Sequence, residues 1–136
     1  MTKVEAVETD ALAAVIRGLG IAPAHEEILL RSTKNSTHLW LGTHDETILC
    51  FFGLIPPTLL SDVAYLWLYC TPYMCGHTIP LIRHSRRAVR DWLNIYPHIV
   101  GHGHSDRPRS LAWLRLLGAE FGEPTGSVIP FEIKAV

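Results

Sequence analysis

Cysteine is scarce in this chain, and the few cysteines do not form a disulfide pattern. Cys50, Cys70 and Cys75 are the only three among 136 residues. Their number is odd, and no two of them have the C-x-x-C spacing of a redox or zinc pair. The sequence therefore argues against a small secreted scaffold held by disulfides and favours a reducing compartment.

An excess of one charge and long apolar runs are also missing. The 12 basic and 13 acidic side chains give a formal net charge of −1, which predicts neither nucleic acid nor an anionic membrane as a partner. The longest apolar segment, from Ile48 to Pro57, is far shorter than the roughly 20 residues that span a bilayer. The first residues, from Met1 to Glu5, lack the apolar core of a signal peptide. These absences predict a cytoplasmic protein without a membrane span.

The apolar content and its periodicity predict one folded domain over residues 1–136. Apolar residues make up 48% of the chain, and no repeat or linker divides it. Changes in apolar period predict the element order β-α-α-β-β-β-α-β-α-β-β. The predicted elements are strand 3–8, helices 10–19 and 23–33, strands 37–43, 47–55 and 63–70, helix 78–95, strand 98–104, helix 106–117, and strands 120–123 and 127–136.

Strands 47–55 and 63–70 are apolar on both faces, which is typical of central strands covered by two layers. With strand 37–43 they predict an antiparallel meander. Thr9 or Asp10 is a suitable N-cap for the first helix. Gly118 is expected to end the last helix as its C′ residue.

The element order resembles the GCN5-related N-acetyltransferases, the GNAT superfamily, over nearly the whole chain. One carrier of the likeness is strand 63–70 with a proline-containing loop and a helix beginning near Gly76-His77-Thr78. The other is the segment from Ser110 to Phe121, which looks like the family's late helix with its Leu-Gly-Phe-type turn. The resemblance implies an α/β (α+β) acyl-CoA N-acyltransferase fold, in which helices flank a mixed, mostly antiparallel central sheet.

The C-terminal half is also similar to a narrower group, the acetyltransferase-like internal virion protein A of short-tailed phages. The Trp- and Leu-rich late helix, the Leu117-Gly118-Ala119 turn and the final strand from Phe131 to Lys134 carry this likeness. It implies a bacteriophage protein in the host cytoplasm or packaged in the virion. Its partners would then be virion proteins or a second copy of the chain.

The GNAT resemblance implies a site for acetyl-CoA, which would be a substrate rather than a resident cofactor. In this fold two central strands part, and free main-chain groups can pair with the pantetheine amides as an added strand would. The resemblance places Leu68, Tyr69 and Cys70 there. The N–H groups at the start of the following helix would hold the pyrophosphate.

The phosphate loop matches the family pattern in part. The nearest segment to Gln/Arg-x-x-Gly-x-Gly/Ala runs from Tyr73 to Thr78 and contains Gly76 at the expected place. Tyr73 replaces the basic or amide residue, and Thr78 replaces the second small residue. The resemblance thus assigns Gly76, His77 and Thr78 to acetyl-CoA binding. The alternative is that Gly76 is a turn glycine before a helix.

The late helix departs from the family at its acid. Many members carry a tyrosine four residues before the turn glycine, as general acid toward the leaving thiolate. That position is Leu114 here. Trp113 cannot replace it, because an indole N–H does not transfer its proton at neutral pH. This departure puts catalytic competence in doubt.

Three histidines, His98, His102 and His104, share one parity on the strand after the long helix. The resemblance places this strand beside the acceptor site. We name His104 as candidate general base, because histidine is the side chain that titrates nearest neutral pH. Ordinary polar histidines are one alternative. A His-x-His metal site is another, with only His77 and Asp106 as nominal further ligands, and we assign no metal.

Small and aromatic residues on the two strands leave two interpretations open. Gly101 and Gly103 predict the close approach of another backbone or of a ligand. Tyr65, Trp67 and Tyr69 share one face of their strand, where they either pack in the core or form the wall of a substrate groove.

Helix 78–95 carries four arginines, and a cysteine precedes it. Arg83, Arg86, Arg87 and Arg90 predict a solvated helix face, with contact to phosphates or to an acidic partner as the alternative. Cys75 is either a plain loop thiol or a thiol activated at a helix N-terminus.

Two functions of different classes remain after this reading. The first is an N-acetyltransferase that moves the acetyl group of acetyl-CoA to an unknown amine acceptor. The second is a non-catalytic GNAT-fold virion or accessory protein that acts through protein contacts. Fold alone does not decide between them.

Overall fold

The computed structural model describes residues 2–57, 62–74 and 78–134, without the side chains of residues 74 and 78–80. The order of elements agrees with the sequence prediction. The elements are β1 (Thr2–Ala6), α1 (Thr9–Arg17), α2 (Pro23–Asn35), β2 (His38–His44), β3 (Thr47–Ile55), β4 (Ala64–Cys70), a 3-10 turn (Pro72–Met74), α3 (Thr78–Ile95), β5 (His98–His104), α4 (Pro108–Leu116), β6 (Glu120–Phe121) and β7 (Val128–Lys134).

The described strands form one seven-stranded sheet in the order β1-β2-β3-β4-β5-β7-β6. The predicted antiparallel meander is confirmed, because β2 pairs with β3 and β3 with β4, both antiparallel. The one parallel neighbour pair is β4 with β5, which α3 connects. The fold is therefore a mixed and mostly antiparallel sheet, as predicted.

Helices cover both faces of the sheet, which is why the central strands are apolar on both sides. On one face, Trp92 of α3 and Trp113 of α4 pack against the Phe52 ring at centroid distances of 5.8 and 5.3 Å. On the other face, α1 and α2 bury the neighbouring Phe51 together with Trp67. Successive side chains of β3 thus pack into two separate cores, one on each face of the sheet.

Helix ends follow the predictions in part. Gly118 has a φ of +98° just after α4, so its predicted role as a C′ glycine is confirmed. The predicted N-cap of α1 is wrong. Thr9 and Asp10 are helical, Glu8 is the N-cap, and no side chain caps the helix. The extended φ of −78° and ψ of 155° at Glu8 move the cap one residue earlier than the side-chain pattern indicated.

The two central parallel strands separate soon after they meet. Their ladder consists of two residue pairs, Ala64 with Ile99 and Tyr65 with Val100. Beyond these pairs no ladder joins the described residues of β4 and β5, although each strand continues to residue 70 or 104. We call the space between these two strand ends the strand gap.

Candidate functional site

The hydrogen-bond phase of β4 decides which main-chain groups face the strand gap. The N–H of Thr71 donates to Leu49 O over 2.9 Å, which makes this a hydrogen-bonded pair. Hydrogen-bonded and open pairs alternate in an antiparallel ladder. Tyr69, opposite Phe51, therefore bonds to β3, whereas the N–H and C=O of Leu68 and Cys70 turn away from β3 toward the gap.

Gly101 lets the two strands meet at the closed end of the gap. A Cβ built on this glycine would collide with the Leu66 carbonyl oxygen and would lie 2.6 Å from Cε2 of Phe131. The predicted close approach of another backbone is thus confirmed at Gly101. At Gly103 a Cβ would meet a side chain instead, lying 2.6 Å from Leu111 Cδ2.

A cavity of about 460 Å³ lies at the open end of the strand gap. We call it the gap cavity. It is formed by the end of β4, the 3-10 turn and the start of α4, and its lining consists of Tyr69, Cys70, Pro72, Asp106, Arg107, Pro108, Arg109 and Ser110. Cys70, whose carbonyl group faces the gap, thus borders a space large enough for part of a ligand.

Burial makes the thiol of Cys70 a poor acid. Burial raises its pKa to about 11, although a hydrogen bond with the Ser110 side chain and the charges of Arg107 and Arg109 oppose the rise. Cys70 is therefore a neutral thiol at pH 7 and contributes its backbone to the site.

Arg107 stands between this cavity and a second one. Its Nη2 donates to the Cys70 carbonyl oxygen over 3.1 Å. Its guanidinium carbon lies 4.5 Å from the centroid of the Tyr69 ring, in cation–π geometry. Tyr69 is itself stacked on Phe51 at 5.2 Å, so a rigid aromatic pair supports the guanidinium.

The second cavity, of about 400 Å³, lies on the α2 side of the sheet. We call it the aromatic cavity. Its lining comes from α2, β4, β5 and the residues after β5, and consists of His25, Ile28, Leu29, Ser32, Tyr65, Trp67, Leu68, Tyr69, His102, His104, Asp106 and Arg107. Tyr69, Asp106 and Arg107 line both cavities, so the two spaces adjoin there.

The three aromatic residues of β4 pack against the core and also line a cavity, while their role as the wall of a substrate groove stays a prediction. Trp67 is buried against α1 and α2, and its indole N–H donates to Ser36 Oγ over 2.7 Å. Tyr65 is half-buried, and its hydroxyl lies 3.1 Å from Nδ1 of His102. Burial raises the pKa of Tyr65, which keeps this hydroxyl protonated. These side chains thus pack against the core and also form part of the wall of the aromatic cavity.

The surroundings of His25, on α2, change the pKa of its imidazole. Burial lowers its pKa below the ordinary 6.5, the nearby charges of Arg107 and His104 lower it further, and Asp106 acts in the opposite direction. Its ring packs edge-on against Tyr69 at 5.5 Å. His25 is therefore neutral at pH 7 and can accept a proton inside the aromatic cavity.

The structure brings some of the predicted site residues together. Leu68 and Tyr69 line the aromatic cavity together with His104, the predicted general base, and Cys70 lines the gap cavity. Thr78 begins α3, although its side chain is outside the described residues. Gly76 and His77 also lie outside the described residues, as does Cys75.

Leu114, at the position of the family's tyrosine, is fully buried in the core that α3 and α4 share. Sequence reasoning missed His25, and it considered Asp106 and Arg107 only at the start of the last helix, with Asp106 also as a nominal metal ligand. The one local signal for His25 was its place near the start of a helix after Pro23. Because His25 is far in sequence from the central strands, no local pattern indicated that it would contact them.

Other parts of the chain give fewer functional clues. Within residues 2–57, 62–74 and 78–134, no group of three His, Cys, Asp or Glu lies close enough to hold a metal ion. None of the helices in those ranges is both long and apolar enough to cross a membrane. The four arginines of α3 are exposed, which agrees with a solvated helix face, and they line a depression of about 480 Å³ with Ile82.

Comparison with known proteins finds likeness in structure but not in sequence. No family model and no curated protein matches the chain. Among solved structures, the IAA acetyltransferase from Bacillus cereus is similar with a TM-score of 0.71 and 10% identity, over 99% of this chain and 100% of that one.

Two further similar structures were solved with coenzymes. The Campylobacter jejuni N-acetyltransferase PseH in complex with acetyl coenzyme A has a TM-score of 0.62 and 13% identity over 100% of both chains. The PaiA N-acetyltransferase from Thermoplasma acidophilum in complex with coenzyme A has a TM-score of 0.65 and 13% identity over 99% of both chains. At these identities the likeness establishes the architecture, and the chain has the fold of the GNAT N-acetyltransferases.

Proposed function

We propose that the protein is an acyl-CoA-dependent N-acyltransferase that moves an acetyl group from acetyl-CoA to an amine. The observation that carries the proposal is the strand gap. The ladder between β4 and β5 stops after Tyr65 and Val100, the main-chain groups of Leu68 and Cys70 face the strand gap, and Cys70 lines the gap cavity. Strand edges without a ladder partner are otherwise avoided inside a sheet, because unpaired buried N–H and C=O groups are costly, and here Arg107 donates to the Cys70 C=O.

The pantetheine arm fits this gap by its chemistry. Its two amides can pair with the N–H and C=O groups of Leu68 and Cys70 as an additional strand would. The helix α3 begins at Thr78, close in sequence to the end of β4, so its first N–H groups are available for the pyrophosphate. Gly76, His77 and Thr78 remain the predicted phosphate-side residues. Support comes also from the two similar proteins solved with acetyl coenzyme A or coenzyme A.

The acceptor amine enters from the aromatic cavity in this proposal. Neutral His25 takes the proton of the ammonium group, and the free amine attacks the thioester carbon. The developing oxyanion is stabilised by a main-chain N–H of β4 that faces the gap, that of Leu68 or Cys70. The C–S bond then breaks, the thiolate of coenzyme A leaves, and the surplus proton of the attacking nitrogen passes through solvent to that thiolate. His104 lines the same cavity and is the alternative base.

A melting experiment with acetyl-CoA tests the proposal. A ligand at a hundredfold excess over its dissociation constant stabilises the folded state by about 2.7 kcal/mol. We expect a clear rise in melting temperature for the wild type, together with release of coenzyme A when an amine is added. No rise at millimolar acetyl-CoA contradicts the proposal.

Two charge-reversing variants locate the site. Arg109 lines the gap cavity, and its Nη1 lies 3.4 Å from the Pro72 carbonyl oxygen. Arg109→Glu places a negative charge beside the proposed path of a polyanionic ligand and is expected to weaken binding by about tenfold or more. Arg115→Glu, on the same helix but outside both cavities, is the matched control and should bind normally. Equal losses in both variants contradict the assigned site.

A second candidate is a GNAT-fold protein that acts through protein contacts without catalysis, as the likeness to the phage internal virion proteins implied. Two observations favour it. Leu114 is fully buried, so no hydroxyl stands where the family has its acid. Arg107 already bonds to the Cys70 carbonyl that pantetheine would need. The acetyl-CoA titration separates the candidates, and sedimentation then tests for a homodimer.

A further inference from the structure

We infer that the aromatic cavity selects an acceptor in which the amine stands beside a carboxylate, as in an α-amino acid with an apolar side chain. In this inference Arg107 binds the carboxylate. It rests on the proposed function and adds the chemical class of the acceptor. Three features of the cavity lead to it: an arginine that has no carboxylate within ion-pair distance among the described residues, an aspartate that can pair with one ammonium group, and a partly apolar wall.

The guanidinium of Arg107 is held in place without being neutralised. It donates one hydrogen bond to Cys70 O and rests on the ring of Tyr69. In the described part of the chain, no carboxylate lies within ion-pair distance of it, and this includes the adjacent Asp106. A guanidinium has five donors in a planar fork that matches a carboxylate. A positioned arginine with unused donors at the edge of a cavity therefore points to an anionic group.

The charged side chains that line the aromatic cavity limit how many positive groups a bound acceptor can carry. Arg107 brings a fixed positive charge to the lining that it shares with His25, His104 and Asp106. Among the described residues, Asp106 is the one acidic residue that lines the aromatic cavity. One carboxylate can pair with one ammonium group. A polyamine would bring several positive charges against Arg107, whereas a zwitterionic amino acid matches both signs.

Beside the polar Ser32 and His102, part of the wall is apolar and suits a hydrocarbon or aromatic side chain. Tyr65 and Trp67 form the sheet side, and Ile28 and Leu29 form the helix side. Ile28 is 58% exposed and lines this cavity. An apolar side chain of the acceptor would cover it. The volume of about 400 Å³ lies within the range of small-molecule sites.

A matched pair of probes tests the carboxylate. L-Phenylalanine and phenethylamine have the same ring and amine and differ in the carboxylate alone. We expect wild-type protein to bind phenylalanine at least about tenfold more tightly in calorimetric titrations, since hydrogen bonds to charged groups carry this order of selectivity. Spermidine is the third probe and should bind more weakly than phenylalanine.

Two arginine variants assign the effect to one side chain. Arg107→Gln should reduce the preference for phenylalanine to less than about threefold. Arg115→Gln is the matched control, because Arg115 also stands over an aromatic ring, Phe121 at 5.3 Å, but lies outside both cavities. It should keep the wild-type preference. If Arg107→Gln does not fold, the wild-type preference alone decides.

The outcomes separate this inference from the proposed function. The probes are titrated without acetyl-CoA, so binding is read independently of transfer. A preference for phenylalanine that Arg107→Gln removes supports the inference even if acetyl-CoA does not bind. Equal or tighter binding of phenethylamine or spermidine, a preference that persists in Arg107→Gln, or no binding of any probe at 50 mM (a concentration on the order of the weakest specific affinities) overturns it.

Discussion

Replacing Gly101 with alanine should damage the closed end of the strand gap. The added Cβ collides with the Leu66 carbonyl oxygen and approaches Cε2 of Phe131 to 2.6 Å. Phe131 is 4% exposed, so its ring cannot move aside without repacking the core. Relief then requires a shift of β4 against β5 directly beside their two ladder pairs.

The size of the effect follows from two opposing contributions. Overpacking a core typically costs about 1–3 kcal/mol. Alanine recovers about 0.4–1 kcal/mol through the smaller entropy of the unfolded chain. Because the clash involves a main-chain oxygen and a buried ring, the upper part of the first range, about 2–3 kcal/mol, applies. The net loss should then be about 1–2.6 kcal/mol, which corresponds to a fall in melting temperature of roughly 3–10 °C for a domain of this size.

Thermal unfolding of Gly101→Ala measures this loss of stability, and Gly103→Ala, on the same strand, is the matched control. There the Cβ meets only the tip of Leu111, a flexible side chain that can turn away. We expect Gly103→Ala to lose less than half as much stability as Gly101→Ala. If Gly101→Ala has the melting temperature of the wild type, or if Gly103→Ala is less stable than Gly101→Ala, the inferred close approach of the two strands is wrong.

Three further predictions concern single side chains of the site. His25→Ala should abolish an acid limb of kcat/KM whose midpoint lies below pH 6.5, because burial and Arg107 lower the His25 pKa; a midpoint above 6.5 contradicts the assignment. Trp67→Phe should cost about 1 kcal/mol in urea unfolding, since it removes the indole bond to Ser36, and an unchanged midpoint argues against that bond. In a Cys75→Ser variant, iodoacetamide at pH 7 should label Cys70 at least about a hundredfold more slowly than a free thiol, because burial raises the pKa to about 11 from 9.0; rapid labelling of the folded protein contradicts this burial.

The same histidine links pH to stability. Because the pKa of His25 is lowered in the folded state, the unfolded chain binds a proton more readily. The stabilising contribution of the neutral imidazole is therefore complete above pH 6.5 and is lost as the pH falls through the folded-state value. His98, which is exposed at the start of β5 and lines neither cavity, serves as the control for both pH experiments. His104→Ala tests the alternative base, and a larger loss of rate there than in His25→Ala would reverse the assignment.

The sequence predicted the fold well because its strongest signals are local. The doubly apolar strands β3 and β4 and the glycine after α4 each depend on neighbours a few residues away. The cap of α1 was predicted wrongly, since Thr9 and Glu8 can both precede a helix and side-chain type alone does not fix the backbone angles.

The site was less predictable because its members come from distant parts of the chain. His25 lies on α2 and meets Tyr69 only after α2 packs across the sheet. Arg107 opens α4 as its N-cap, as expected, and it also bonds to a strand end 37 residues away, which the sequence did not indicate. No periodicity encodes such contacts. Leu68 and Cys70, by contrast, were named from the resemblance, and their main-chain groups face the strand gap; that they bind acetyl-CoA stays a prediction.

Amide hydrogen exchange measured residue by residue tests the central claim most directly. Leu68 and Cys70 should exchange faster than Trp67 and Tyr69 in the free protein, because their N–H groups face the strand gap while those of Trp67 and Tyr69 bond to β3. Saturating acetyl-CoA should slow exchange at Leu68 and Cys70 and leave Tyr69 unchanged. Equal protection of all four amides without ligand, or no added protection at Leu68 and Cys70 with it, would contradict the account.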